Sequence, residues 1–559
     1  MKPLWQPCNP PDLAAARALA ATLGLPAALA PLLCRHGLSE AVAAADFLKP
    51  RLKTLSDPFL LPDMDKAVAR IFQAIDAGEK IVLYGDYDVD GVTSLTMLRR
   101  MLAQYGNTAA CFLPHRVDEG YGLSTDGIER CLAEHAPKLL IAVDCGTSSA
   151  REIAALASKD IDVIVLDHHE CSGDWPVCAA VVNPKRNGEF GYLCSGGIVF
   201  KTCHALLKTR PLQDFDLKSF LDLAALATVA DLVPLTGENR LLVRHGLARM
   251  QQSCWPGIWA LMEVSGVSAP LQASDIGFRL GPRLNAAGRL GTAQAALDLL
   301  STDDPERARA LAAELHSQNS ERQTIEKSTH QNALSLVSAP DAPAIVVGAR
   351  GWTPGVVGIV AARLARHFHR PAIVIAFDET GLGKGSGRSI TGLSLVKALG
   401  KCAPLLEKFG GHEMAAGLTI REENLPAFVT AFEAVVDSLL AHDARNPRLH
   451  LDCELSLAEI NDQLWDAQAH FEPFGMANPR PTFWVRGVTP GREPVVMKEK
   501  HLRLILQHQG TQKAAVFFGG ASEPLPPPPW DVAFHLETNT YRGETSLQLQ
   551  ITHLRPASP

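Results

Sequence analysis

Three short apolar runs, IVLYGD (81–86), LLIAVD (139–144) and VIVLDHH (163–169), each reach an aspartate at their end, with stretches of helical spacing between them. Runs of this length, rich in β-branched residues, predict buried parallel strands of an α/β sheet, whose reactive side chains gather at the strands' carboxyl ends. Further on, AIVV from Ala344 and AIVIA from Ala372 open a second α/β unit that runs to about residue 445. Between the two units, Asp304-Pro305 supplies a helix cap and a first-turn proline, and residues 306–337 contain neither proline nor glycine. A continuous helix there would span on the order of 50 Å and connect two lobes. After residue 450 the period shortens to two in HLRLILQH, KAAVFF, DVAFHLETN and SLQLQITHL, with YRGE (541–544) as a hairpin turn. This predicts a small β-barrel of the OB type carrying one proline-rich surface loop, SEPLPPPPW (522–530). The Ala/Leu-rich start reads as a small helical cap on the next segment of the chain. The expected division is therefore 1–60 cap, 61–240 first α/β lobe, 241–340 helical region and connector, 341–447 second α/β lobe, and 448–559 barrel.

Composition narrows the class. At 559 residues the chain is too long for a single core. An apolar share of 47% and a charged share of 20% are those of a soluble globular protein. The start, MKPLWQPCNPPD, lacks the apolar stretch of a secretory signal, and no apolar run approaches the length of a membrane span, so a cytoplasmic location is expected. The 12 cysteines form no CxxC pair, which argues against structural zinc and for reduced, buried thiols. A net charge of −7 excludes a surface coated in basic residues for duplex DNA. It does not exclude nucleic acid, because a carboxylate-built metal site makes a chain acidic.

The chemistry concentrates in Tyr84-Gly-Asp-Tyr-Asp-Val-Asp-Gly-Val-Thr-Ser94. Aspartates 86, 88 and 90 alternate directly after a strand, where they repel one another unless a cation sits among them. Taken alone, the segment also reads as a solvated acidic loop or a set of helix caps. Asp144, Asp167-His168-His169 and Asp231 add ligand-type side chains from three further segments. Such a carboxylate-rich set with one or two imidazoles favours Mn2+ or Mg2+ over structural zinc.

In this order, Asp88-Val-Asp90-Gly, Asp144, Asp167-His168-His169 and Asp231 resemble the first four motifs of the DHH phosphoesterases. LPHRVDEGYG (113–122), GFRLGPRLNAAGRLG (277–291), GKGSGRS (383–389), GGHEMAAG (410–417) and PFGMANPRPTF (473–483) resemble segments of RecJ nucleases, with Ala477 where glycine is expected. The resemblance covers nearly all of the chain after about residue 55. It implies a DHH lobe, a DHHA1 lobe and an OB barrel. It also implies two divalent cations, Mn2+ or Mg2+, held by Asp88, Asp90, Asp144, His168 and Asp231, with Asp144 as the bridge. Asp86 extends the cluster, His169 faces the scissile phosphate, and Asp167 orients an imidazole. Arg116, Arg283, Asn285, Ser386, Arg388 and His412 then bind substrate, the arginines gripping phosphate in glycine-rich surroundings. No Ser or Cys nucleophile with a paired base is evident, so metal-assisted hydrolysis fits best.

By the same resemblance, the expected activity is that of a 5′-to-3′ exonuclease of single-stranded DNA in recombination and repair, with a cleft too narrow for a duplex. Trp484, Phe517, Phe518 and Tyr541 are candidate stacking residues on the barrel. A monomer working with a single-strand-binding protein and a RecQ-type helicase is expected. Two rivals stand beside this reading. One is a DHH-family phosphodiesterase or phosphatase of oligonucleotides or small nucleotides; the other is a catalytically silent scaffold, disfavoured because every ligand position is filled.

Overall fold

The computed structural model describes residues 3–8, 12–115, 119, 122–541 and 544–557. The chain forms two compact units, one built from 57–233 and 245–447, the other from 4–56, 234–244 and 448–559. In the first unit, the apolar runs form strands β1 (Ile81–Gly85), β2 (Ala110–Phe112), β3 (Leu139–Val143), β4 (Asp162–Leu166) and β5 (Ala180–Val182). All pairings are parallel, in the order β2-β1-β3-β4-β5. The chain order reverses direction at β1, so a crevice opens beyond the carboxyl ends of β1 and β3, where α/β sheets bind ligands. β1 and β3 are buried along their whole length, which is why they read as unbroken apolar runs rather than alternating ones.

Helices α1 (Val89–Gln104), α2 (Ser195–Thr209) and α3 (Leu221–Ala230) pack together beside this sheet. After α4 (Gly281–Leu290) comes the connector α5 (Pro305–Leu336), 32 residues capped by Asp304, as the sequence predicts. The buried stripe of α5 starts apolar with Ala308, Ala312 and Leu315, then turns polar with Asn319, Arg322 and Glu326. Those polar groups satisfy one another: Arg322 meets Glu326 at 2.7 Å, and Arg363 of α6 (Pro354–Phe368) meets the same carboxylate at 2.5 Å. The second sheet contains β6 (Ile345–Arg350), β7 (Ala372–Phe377), β8 (Leu382–Arg388), β9 (Lys408–Gly411) and β10 (Ala415–Arg421). Its order is β9-β10-β8-β7-β6, parallel only between β6 and β7.

The second unit is built on a closed five-stranded barrel of β11 (Phe483–Pro490), β12 (His501–His508), β13 (Thr511–Phe517), β14 (Trp530–Tyr541) and β15 (Glu544–Pro556). Closure comes from Thr489↔Gln507 and Pro490↔Leu506, and β13 runs parallel to β15, the pairing pattern of an OB barrel. β14 and β15 pair antiparallel up to Tyr541↔Glu544, flanking the expected hairpin turn, whose residues 542–543 lie outside the described residues. The N-terminal helices differ from expectation. Ala16, Ala20, Leu29, Leu32, Leu33, Ala44 and Leu48 share one core with Phe483, Phe534 and Ile551 of the barrel, instead of capping the next segment of the chain. Their apolar faces need a partner surface, and the barrel's outer end supplies it. Arg240, on the returning segment, is 3% exposed and donates to the carbonyls of Phe47, His470 and Phe471. Ala477 sits at φ 58°, in the left-handed region, which explains why glycine is expected there.

Among the candidate aromatics, Trp484 is only 4% exposed and stands edge-on to Trp5 at 6.3 Å, and Phe517 packs against the barrel core. Trp484 serves packing and is corrected as a stacking candidate, whereas Phe517 is only partly buried. Phe518 is 53% exposed, while the side chain of Tyr541 lies outside the described residues. Among the described residues, no helix is long and apolar enough to cross a membrane.

Asp222, fully buried in α3, accepts from Leu223 N, Ser253 Oγ and Trp255 Nε1, yet burial pushes its carboxyl up to about 6. A raised folded value means stability present below the unfolded pKa of about 3.8 and lost as pH rises through 6. Asp222→Asn keeps most of these contacts without the charge. Its melting temperature should therefore gain on the wild type's between pH 5 and pH 7, by the equivalent of roughly 1 kcal/mol. A gap that stays constant with pH counts against a strained carboxylate.

Candidate metal centre

Each strand end delivers its acid to the same crevice. Asp86 follows β1, Asp144 follows β3 with φ 62°, and Asp167 follows β4. Asp88 caps α1 by accepting from Gly91 N at 3.1 Å, and Asp90 lies in the first turn of that helix, 1% exposed. Gly91 is required here, because a β-carbon would come within 2.4 Å of the Asp86 carbonyl oxygen. Asp231 joins from the carboxyl end of α3.

Among the described residues, three groups of ligand atoms converge, each within 4.8 Å: Asp86–Asp88–Asp144, Asp90–His168–Asp231 and Asp144–His168–His169. His168 Nε2 faces Asp144 Oδ1 at 3.5 Å, Asp231 Oδ2 at 3.5 Å and Asp90 Oδ2 at 3.9 Å. Neither His168 Nε2 nor Asp231 Oδ2 makes a hydrogen bond, although both atoms are buried. Burial, then neighbouring charge, acts on Asp90, Asp144, His168 and Asp231. Asp144 is pushed well above the carboxylate range by desolvation and by Asp90, Asp88, Asp86 and Asp231. Asp90 and Asp231 rise for the same two reasons. Burial lowers His168 to about 3, which leaves a neutral imidazole with a free lone pair. Unpaired buried acceptors around a neutral imidazole fit a hard divalent cation, and hydrogen bonding within the protein does not satisfy them.

Asp167 is different. Its Oδ1 accepts from His168 N at 2.7 Å, His169 N at 3.1 Å and His169 Nδ1 at 2.7 Å, and its Oδ2 accepts from Thr147 N at 3.0 Å. Burial alone would raise it, but His169 and these donors hold it well below the usual range. Asp167 in turn raises His169 against the effect of burial. The His169 ring lies 6.4 Å from that of His412, nearly parallel at 23°, so the GGH turn of the second lobe reaches the cluster.

The remaining predicted residues divide. Ser386 and Arg388 are neighbours on β8, joined by Arg388 Nη1 donating to Ser386 Oγ at 3.0 Å, beside the first turns of α6. Asn285 turns its carboxamide oxygen to Val89 N at 3.1 Å and shapes the acidic loop. Arg283 donates to the Arg279 carbonyl and to His316 of α5. Arg116 lies outside the described residues.

Several residues that build the site were not singled out from sequence. The opening amides of α2 hold Asp90, Ser195 N at 2.8 Å on Oδ2 and Gly196 N at 2.7 Å on Oδ1, so the helix dipole faces the acid. Ser195 Oγ donates to Asp144 at 2.9 Å. Asn183, fully buried, donates to Thr147 Oγ1 and to the His169 carbonyl and so fixes the loop after β4. Arg289 Nη1 donates to the Gly355 carbonyl at the start of α6. Ser-Gly-Gly opening an apolar helix at 195–197 was the available signal for the first of these.

Family models match in three places: the DHH family N-terminal domain at residues 80–228, the DHHA1 domain at 341–438 and the RecJ OB domain at 451–553. The single-stranded-DNA-specific exonuclease RecJ of Bacillus subtilis is 36% identical over 91% of this chain, which spans 65% of that relative's length. The protein of the same name from Dickeya dadantii is 35% identical over 95% of this chain and 97% of its own. The crystal structure of RecJ in complex with Mn2+ from Thermus thermophilus superposes with a TM-score of 0.87 at 32% identity, covering 100% of this chain and 80% of that one. A Mg2+ complex from the same organism aligns at 0.81. Matched end to end by relatives above 30% identity, the chain belongs to the RecJ family.

Proposed function

We propose that this protein is a metal-dependent exonuclease that removes mononucleotides from the 5′ end of single-stranded DNA, in recombination and repair. The observation that carries the reading is the buried, unsatisfied convergence of His168 Nε2 and Asp231 Oδ2 with Asp90 and Asp144. Asp88, Asp90, Asp144, His168 and Asp231 would hold two divalent cations, Mn2+ or Mg2+, with Asp144 shared because it belongs to two of the converging groups. Cations held by these residues would acidify water and offset the charge that develops on the phosphate oxygens.

The chain's own residues do the rest. Asp86 adds negative charge beside Asp144. Asp167 fixes the orientation of His169 and favours its protonated form, which suits a group facing a phosphate. His412, stacked across from His169, closes the opposite side and contacts the substrate. Ser386 and Arg388 offer a hydroxyl and a guanidinium to a terminal phosphate, which sets the direction of attack. Arg116 and Asn285 are assigned to the same substrate path, Asn285 through the acidic loop. We assign catalysis to 61–240 and 341–447, spacing to 241–340, and strand binding to 448–559 together with 1–60. Support for strand binding comes from a surface cavity of about 820 Å³ lined by Met497, Arg503, Phe518, Asn539 and Gln548, which combines an exposed ring, a cation and amides. A monomer in the cytoplasm, cooperating with a single-strand-binding protein and a RecQ-type helicase, completes the reading.

The direct test uses single-stranded DNA labelled at either end, with Mn2+, Mg2+ or EDTA. Early mononucleotide release from the 5′ label only, abolished by EDTA and by Asp144→Ala, is the expected result. Cleavage confined to dinucleotides or small phosphoesters would replace the polymer with a small-nucleotide substrate. A second test addresses the barrel. Phe518→Ala should weaken binding of long single strands by about 1–3 kcal/mol and leave turnover of very short ones unchanged; equal loss on both lengths would remove Phe518 from the strand path.

A further inference from the structure

α4 touches the acidic loop and the second lobe through its backbone. A β-carbon at Gly288 would lie 2.8 Å from the Tyr87 carbonyl oxygen, inside the Asp86–Asp88 loop. One turn earlier, Asn285 Oδ1 accepts from Val89 N at 3.1 Å, so the contact is held as well as close. At the next residue, the Arg289 carbonyl oxygen would lie 2.3 Å from a β-carbon at Gly355, on α6. Arg289 Nη1 donates to the Gly355 carbonyl at 3.3 Å and holds this second contact. Gly358, on the same helix, stands where a β-carbon would be 3.0 Å from Ser386 Oγ and 3.1 Å from Arg388 Nη2. The acidic cluster and the Ser386–Arg388 pair are thus linked by successive close approaches, each at a glycine. The approaches at Gly288 and Gly355 are backbone against backbone and cannot relax by rotating a side chain, so they fix a spacing more stiffly than packed side chains would.

We infer that Gly288 and Gly355 are positioning residues that set the distance between the hydrolytic cluster and the phosphate-gripping pair, and thereby the one-nucleotide step of the enzyme. The inference rests on the exonuclease reading above. A terminal phosphate held by Ser386 and Arg388 presents the next phosphodiester to the cluster only if that distance equals one nucleotide. Adding a methyl group at Gly355 forces its contact with Arg289 open by about 1 Å, and a misplacement of that size costs about 100-fold in rate. This contact is made by Arg289 and not by the Gly288 approach to the acidic loop, so the cluster's ligands are expected to keep their geometry.

The test compares the full-length wild type with Gly355→Ala, using 5′-phosphorylated single-stranded DNA for kcat and product length, and Mn2+ alone in calorimetry. Expected is a kcat about 100-fold lower, dinucleotide appearing among the products, and Mn2+ affinity within about threefold of wild type. Wild-type kcat with mononucleotide as sole product overturns the inference. Loss of Mn2+ affinity in step with activity also overturns it, because the glycine would then serve the fold generally. If Gly355→Ala does not fold, Gly288→Ala, whose contact is looser, carries the product-length readout alone, since Tyr87 lies between Asp86 and Asp88: dinucleotide among the products supports the inference and mononucleotide as sole product overturns it. A wild type that leaves DNA intact overturns the exonuclease reading itself, which separates the two failures.

Discussion

Burial of like charge is the constraint on which this molecule turns. Asp86, Asp88, Asp90, Asp144 and Asp231 crowd one crevice, and the raised carboxyls of Asp90, Asp144 and Asp231 mark the cost of their burial and proximity. In a medium of low dielectric that repulsion is a large term against folding. The fold offsets part of it with fixed partial charges, most directly by aiming the first amides of α2 at Asp90. The unsatisfied remainder is what a cation would neutralise, so metal binding and the stability of this region are one equilibrium.

The same economy shapes the surrounding architecture. A parallel sheet brings three acids to one edge because all its strands point the same way, and the order reversal at β1 leaves that edge open. The helices behind it must be nearly featureless to pack so closely, and α3 is buried on every side until it ends at Asp231. The connector shows the opposite solution. Its buried middle is ionic, and Glu326 is shared by arginines of two helices, which suits a junction whose geometry must be specific.

Much of this was legible in the sequence, and the exceptions have a common cause. Strand-end aspartates, the capped connector and the alternating barrel strands are local patterns, and the structure keeps them. What sequence missed acts across long separations through the backbone: the Ser195 and Gly196 amides on Asp90, and Asn183 on His169. Backbone donors carry no residue signature. Arg283 and Arg289 look equivalent within one glycine-rich segment, yet six residues at about 100° each place them on different faces of α4. Trp484 was misassigned because an aromatic on a barrel strand looks the same from either side of the wall.

Counting donors separates acids that ligate from acids that position, a distinction residue type alone does not make. Asp167 and Asp231 are both buried aspartates at the edge of one crevice. Asp167 has four donors on its two oxygens, one of them an imidazole that can carry charge, and it stays ionised. Asp222 has three donors, none of them charged, and burial still pushes it up. Hydrogen bonds alone therefore do not keep a buried carboxylate charged here; a cationic partner does. Asp231 has neither a hydrogen bond on Oδ2 nor such a partner in contact, and it faces His168 Nε2 at 3.5 Å. Among these three acids, the one left most in need of positive charge is the one placed where a metal ion would lie.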